Sequence, residues 1–266
     1  MTRDFRPEIG FFRSESVNDK DRIAGATKAL AVIEAFDEDH PRMNPASVAT
    51  LTGLTRTAAR RYLLTLADAG YAETDGRLFW LAPRVLRLGT AYFGSARLPR
   101  IVQPFLQRIS AAVQESALLA VLDGDEVVYV ARNGASRVKA VGFVLGSRVA
   151  APLSSAGMIV LAYQPPERVA EFIERYEPKA FTPHTIIDKA RLRLELEQVL
   201  QHGYALSEQQ LEMGMRGVAV PLRNRNGIVI GAISVSMPIG QESGNAALSR
   251  VLPALQESAS LLRGVI

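Results

Sequence analysis

Between Asn44 and Gly70 the chain carries helix start and stop signals so close together that only two short helices joined by a tight turn satisfy them. Asn44-Pro45 opens the first, because an Asn N-cap accepts from first-turn amides and Pro loses nothing at the first helical position. Val48 and Leu51 put apolar groups on one side, and Gly53 ends it. Thr55 caps the next helix after only Gly53-Leu54. Ala59, Leu63 and Leu66 set its buried stripe, and Gly70 stops it. Upstream, Ala26, Leu30, Ile33 and Phe36 recur at helical steps and predict a supporting helix that ends before Asp37-Glu38-Asp39 and His40-Pro41. A supporting helix followed by two short helices across a glycine turn is a helix-turn-helix, whose second helix fits the major groove of a duplex.

Charge falls unevenly around this motif. Residues 1–41 hold 6 Lys and Arg against 9 Asp and Glu; residues 42–90 hold 7 against 3, all seven of them arginine, although the whole chain is only +4. On the second short helix Thr57 and Arg61 project opposite the apolar stripe, Arg60 lies beside them, and Thr55 and Arg56 occupy the exposed start. Arginine contacts phosphates or forks onto guanine, and the helix N-terminus adds about half a positive charge. A solvated face would use the same residues, so the short helix and turn before them carry the nucleic-acid reading. Asp75-Gly76 between two aromatic-rich runs predicts a hairpin over 71–81, a small wing with Arg77 at its tip. Arg77 there suits an adjacent minor groove or phosphate, or is simply exposed. Trp80 is expected to pack under the wing.

At 266 residues the chain is too long for one comfortable core, so two domains are expected. Residues 1–22 mix both charge signs with Pro, Gly and Ser and read as a flexible tail. Residues 83–92 open on Pro and carry Val85, Leu88 and Tyr92 at helical steps, which suits a connecting helix. A helix over about 101–115 follows. Strands at 117–122 and 126–132 flank Asp123-Gly124-Asp125, and further strands fall at 204–208, 217–222 and 228–236, with Asn226-Gly227 turning the last pair. Helices at about 167–175, 189–202 (capped by Asp188) and 246–264 alternate with them, giving an α+β domain with a mainly antiparallel sheet. Zero cysteines exclude disulfides, thiol nucleophiles and cysteine-rich metal modules, and His40, His184 and His202 leave little for a metal site. No G-x-G-x-x-G or P-loop occurs, so no cofactor is expected. No apolar run approaches the roughly 20 residues that cross a bilayer and no charged-then-apolar leader opens the chain, so the expectation is a cytoplasmic protein without a membrane partner.

Leu153-Ser154-Ser155-Ala156-Gly157-Met158 clusters small residues and hydroxyls just before an apolar helix. Small side chains let a ligand approach the backbone, and free amides at a helix start favour a carboxylate, although the run is equally a plain cap. It falls short of a hydrolase nucleophile elbow, because Leu153 stands where that motif needs Gly, and catalysis is not expected.

The runs Gly25–Phe36, Leu51–Arg56, Arg60–Leu66 and Leu81–Gly89 resemble the IclR family of bacterial transcriptional regulators, in order and at the right mutual distances. The resemblance spans about residues 23–265. It implies an N-terminal winged helix-turn-helix over 23–82, a linker helix over 83–97, and a C-terminal GAF-like α/β effector-binding domain over 98–266 that takes a small organic acid. The segments PRVLRLG, LDGDEVVYVAR and FTPHTI are similar to the branch regulating aromatic catabolism through protocatechuate and β-ketoadipate. The resemblance places effector contacts within Ser154, Ser155, Ala156 and Gly157 and opposite them on Ser207 and Gly217. The chain departs from the family pattern at Met158, where Arg or Lys is usual, at Ser207, often an acid, and at Gly217, often Cys or Ser. Glu208, Met213 and Met215 lie close by in sequence, and core packing is the default for both methionines. The expected partners are a double-stranded DNA operator, a small organic acid and further copies of the chain, as homodimer or homotetramer. A constitutive DNA-binding protein whose second domain only oligomerises is the other reading.

Overall fold

In a computed structural model the structure describes residues 19–134 and 144–266. The tail expected over 1–22 therefore lies, up to residue 18, outside the described residues. The chain divides into two compact units that meet in sequence at Ser95 and Ala96.

In the first unit, α1 (Ala24–Glu34), α2 (Pro45–Thr52) and α3 (Arg56–Asp68) precede a hairpin of β1 (Ala72–Thr74) and β2 (Phe79–Leu81). The caps fall where the side chains dictate. Asn44 Oδ1 accepts from the Ala46 and Ser47 amides at 2.9 and 3.0 Å, and Thr55 Oγ1 accepts from Ala58 at 3.2 Å. Between them Gly53 has φ 68°, the left-handed conformation that turns α2 into α3. Ala59, Leu63 and Leu66 of α3 pack with Val48, Met43 and Phe79 in one small core.

Three expectations for this unit are corrected. The buried face of α1 centres on Val32, with Ile33 and Phe36 packed beside it, whereas Leu30 is 50% exposed and Ala26 is also exposed. Leu51, expected beside Val48 on the covered side of α2, is exposed. Trp80 is only half-buried. Strand alternation turns its neighbour Phe79 into the core, where Phe79 bridges Met43, and leaves Trp80 on the other face. There the Arg42 guanidinium lies 4.2 Å over its ring and Glu73 Oε2 accepts from its indole N–H at 2.9 Å. A short 3-10 turn, Pro83–Val85, leads into α4 (Leu86–Ser95).

The second unit begins with α5 (Arg97–Val113). It continues through β3 (Ser116–Asp123), β4 (Glu126–Asn133), β5 (Arg148–Ala150), α6 (Ser155–Ala162), α7 (Pro166–Arg175), α8 (Lys189–His202), β6 (Ala205–Glu208), β7 (Met215–Arg223), β8 (Val229–Pro238) and α9 (Gly244–Arg263). The six strands form one antiparallel sheet in the order β5-β4-β3-β8-β7-β6. Each face carries its own core. One gathers α6, α7 and α8 against Leu118, Ala120, Tyr129 and Ala219; the other gathers α5 and α9 against Leu119, Val218, Val220 and Ile233. Helices on both faces of an antiparallel sheet make the GAF-like α/β arrangement. The three-residue edge strand β5 has no counterpart in the sequence pattern, since its residues are too few to show a period.

Candidate functional site

On the first unit, Thr55, Arg56, Thr57, Arg60 and Arg61 are all exposed along the side of α3 that its core stripe leaves open. Arg77 is exposed at the hairpin tip. That tip is ordered by its own side chains: Asp75 Oδ1 accepts from the Arg77 and Leu78 amides at 2.9 and 2.7 Å, and these donors hold its carboxyl below the usual range. Among the described residues none of Arg56, Arg60, Arg61 and Arg77 pairs with a carboxylate. Arg84 is different, because it donates to the Ala69 carbonyl at 2.9 Å and lies over Tyr71, closing the end of α3. The unpaired guanidinium groups therefore keep their full capacity for an external polyanion.

On the second unit, a cleft opens between the N-terminus of α6 and one face of the sheet. Its unfilled space, open mouth included, is about 400 Å³. Register builds its floor: Ser207 pairs Gly217 across β6 and β7, and Gly217 pairs Ser236 across β7 and β8, so the three stand side by side. Above them comes α6. Ser154 caps it by accepting from the Gly157 amide at 3.0 Å, which leaves the Ser155 and Ala156 amides without an acceptor among the described residues. Ser155 is 4% exposed, its hydroxyl lines the cleft, and it has no hydrogen-bond partner among the described residues. Gly217 is what admits it, since a Cβ there would lie 2.7 Å from Ser155 Oγ.

Of the six residues expected here, Ser154, Ser155, Ser207 and Gly217 come together at the cleft. Ala156 and Gly157 do not line it. Ala156 is buried in the core, and Gly157 is a contact glycine, where a Cβ would stand 2.0 Å from the Ala151 carbonyl oxygen. Met215 lines the cleft, whereas Met213 is 55% exposed and belongs to neither core nor cleft. Glu208 is held by Arg216, whose Nε donates to its Oε1 at 2.6 Å. Arg216 is the only cation among the lining residues, and its guanidinium is spent on Glu208 and the Glu242 carbonyl. The donors available to an anion are therefore neutral.

Sequence reasoning missed Tyr129, Ser234, Ser236 and Glu212, all of which line the cleft. Tyr129 is fully buried and bonded to the Ser154 side chain; burial pushes its phenol up to about 12, so it stays neutral. The serines had a readable signal. In Ser234-Val235-Ser236-Met237 hydroxyls alternate with apolar residues, so one face of an apolar strand is hydroxylated. Among the described residues no group of three His, Asp or Glu side chains could hold a metal ion, and no helix is long and apolar enough to cross a membrane.

A helix-turn-helix with free arginines, followed by a domain with a hydroxylated cleft, defines a DNA-binding transcriptional regulator with an effector-binding domain. Residues 25–76 match the IclR helix-turn-helix domain and residues 90–262 the bacterial transcriptional regulator IclR C-terminal domain. The chain belongs to the IclR family. It is similar to the p-hydroxybenzoate hydroxylase transcriptional activator of Acinetobacter baylyi, 39% identical over 95% of each chain. Among solved structures, the inducer-binding domain of an Acinetobacter PobR double mutant, in complex with 3-hydroxybenzoic acid, is 34% identical. It matches with TM-score 0.61 over 64% of this chain and 100% of its own. An IclR homolog from Microbacterium hydrocarbonoxydans complexed with 4-hydroxybenzoate is 25% identical, with TM-score 0.71 over 91% of this chain and 100% of its own.

Proposed function

We propose that this regulator controls genes of aromatic-acid breakdown, with a small aromatic acid as its effector. In this reading residues 23–82 bind the operator, 83–97 link, and 98–266 hold the effector and the contacts of a cytoplasmic homodimer or homotetramer. Thr55, Arg56, Thr57, Arg60 and Arg61 enter the major groove on α3, and Arg77 reaches the neighbouring backbone or minor groove. The effector carboxylate sits on the Ser155 amide at the start of α6 with the Ser155 and Ser207 hydroxyls around it, over the floor that Gly217 keeps open. The observation that carries the reading is the unpartnered hydroxyl of Ser155, a residue only 4% exposed, at a helix N-terminus that opens on the cleft. Two of the similar structures hold hydroxybenzoates.

The effector acts only by binding two arrangements of the DNA-binding units with different affinity, so the coupling is reciprocal. Titrating the protein with 4-hydroxybenzoate in the presence and absence of a promoter fragment should change its dissociation constant by the factor by which the acid changes the fragment's. Binding of both with no coupling would overturn the ligand-responsive reading, and no binding of the acid would favour a second domain that only oligomerises.

A further inference from the structure

Glu212 closes the segment 209–212, which forms one wall of the cleft. Its Oε2 is shut off from solvent and has no hydrogen-bond partner among the described residues. A charged acceptor left in this state is costly, and native structures leave few of them. Its position is imposed by its neighbours. Thr185 Oγ1 donates to the Gln210 carbonyl at 2.7 Å, the Ile186 amide donates to Gln210 Oε1 at 2.8 Å, and the Gly214 amide donates to Gln209 Oε1 at 2.9 Å. These bonds, with the Met215 amide donating to the Glu212 carbonyl at 3.4 Å, fix the backbone on both sides of Glu212.

A carboxylate in a cleft that receives an acid repels it. A ligand whose only polar group is its own carboxylate would bring a second negative charge and leave Oε2 as orphaned as before. An acid that also carries an O–H group resolves both problems, its carboxylate resting on the neutral donors at the start of α6 and its hydroxyl donating to Oε2. The geometry points to Glu212 as the residue that selects hydroxylated aromatic acids over unsubstituted ones. This inference rests on the effector reading of the cleft.

Isothermal titration of the full chain with benzoate, 3-hydroxybenzoate and 4-hydroxybenzoate tests it, for the wild type, Glu212→Gln and Glu212→Met. The wild type should bind one hydroxybenzoate at least about tenfold more tightly than benzoate, the size of a hydrogen bond to a charged acceptor. That ratio should shrink in Glu212→Gln and vanish in Glu212→Met, with benzoate itself binding more tightly as the repelling charge goes. A wild type that binds benzoate as well as both hydroxybenzoates overturns the role of Glu212 without needing either variant to fold. So does a Glu212→Met protein that keeps the wild-type ratio, and in both cases the cleft remains the effector site. No heat with any of the three acids overturns the cleft reading itself.

Discussion

Gly157→Ala sets helix propensity against packing, and the structure decides the sign. Gly157 lies inside α6, where replacing Gly by Ala ordinarily stabilises by about 0.5–1 kcal/mol. Here the added Cβ would stand 2.0 Å from the Ala151 oxygen, 2.6 Å from its Cα and 2.7 Å from its carbonyl carbon. All three are backbone atoms, so no rotamer relieves the contact. Restoring an ordinary 3.4 Å separation from the oxygen requires 3.4 − 2.0 = 1.4 Å of movement between α6 and the Ala151–Leu153 turn. Every residue of α6 is buried, so such a shift opens gaps on its other sides, and gaps of even 0.5–1 Å forfeit about a quarter to a half of each contact's attraction. Overpacking of this kind costs about 1–3 kcal/mol or more, which outweighs the propensity gain and leaves a net loss of about 2 kcal/mol. In a domain of this size that lowers the unfolding temperature of the second unit by about 4–8 °C. The movement also drags the Ser155 amide off its aim, so 4-hydroxybenzoate should bind more weakly. Calorimetry of Gly157→Ala beside Gly240→Ala provides the check, because a Cβ at Gly240 meets nothing within 4 Å and that variant should be neutral. An unfolding temperature equal to or above the wild type's for Gly157→Ala would refute the reasoning.

Gly217→Ala should push Ser155 Oγ from its place 2.7 Å from the new Cβ, weakening acid binding while unfolding shifts little, since a short side chain yields more readily than backbone; titration and a thermal melt separate the two effects. Asn44→Ala removes the acceptor for two first-turn amides and should cost about 1 kcal/mol in the first unit, read as a lower urea midpoint at unchanged slope. Arg61→Ala should lower operator affinity by about 1–3 kcal/mol and relax specificity at one position if it reads a base; if it touches phosphate, all sequences weaken alike and the salt slope drops by about 1. Glu242 is hydrogen-bonded to Arg250, which holds its carboxyl below the usual carboxylate range. Its pKa is lowered in the folded state, so its contribution is present above about 4.5 and is lost as pH falls through the folded value. The acid limb of a stability curve should therefore flatten in Glu242→Gln, and an unchanged limb would remove Glu242 from the account.

The helix-turn-helix was legible because every signal in it acts over a few residues. An Asn side chain reaches the amides two and three positions on, Gly53 turns the chain where it stands, and Ala59, Leu63 and Leu66 share a face by helical geometry alone. The Asp123–Asp125 and Asn226-Gly227 turns and the Asp188 cap were local in the same way. Which side of α1 is covered was not, because Val32 rather than Leu30 is buried only once α3 is packed against it. Nor could a period of two tell which of Phe79 and Trp80 faces inward until Met43 had bridged the hairpin.

The cleft divides along the same line. The amino acid order alone determined that small residues and hydroxyls precede an apolar helix, and that a hydroxyl of this run could cap it, since capping needs only neighbours. Tertiary structure alone decided that Ser155 faces Gly217, that Ser236 joins them from another strand, that Gly157 is consumed by contact with Ala151, and that Glu212 is left with an orphaned oxygen. Strand register and helix placement are set by the whole buried surface of a unit, and no residue's near neighbours encode them.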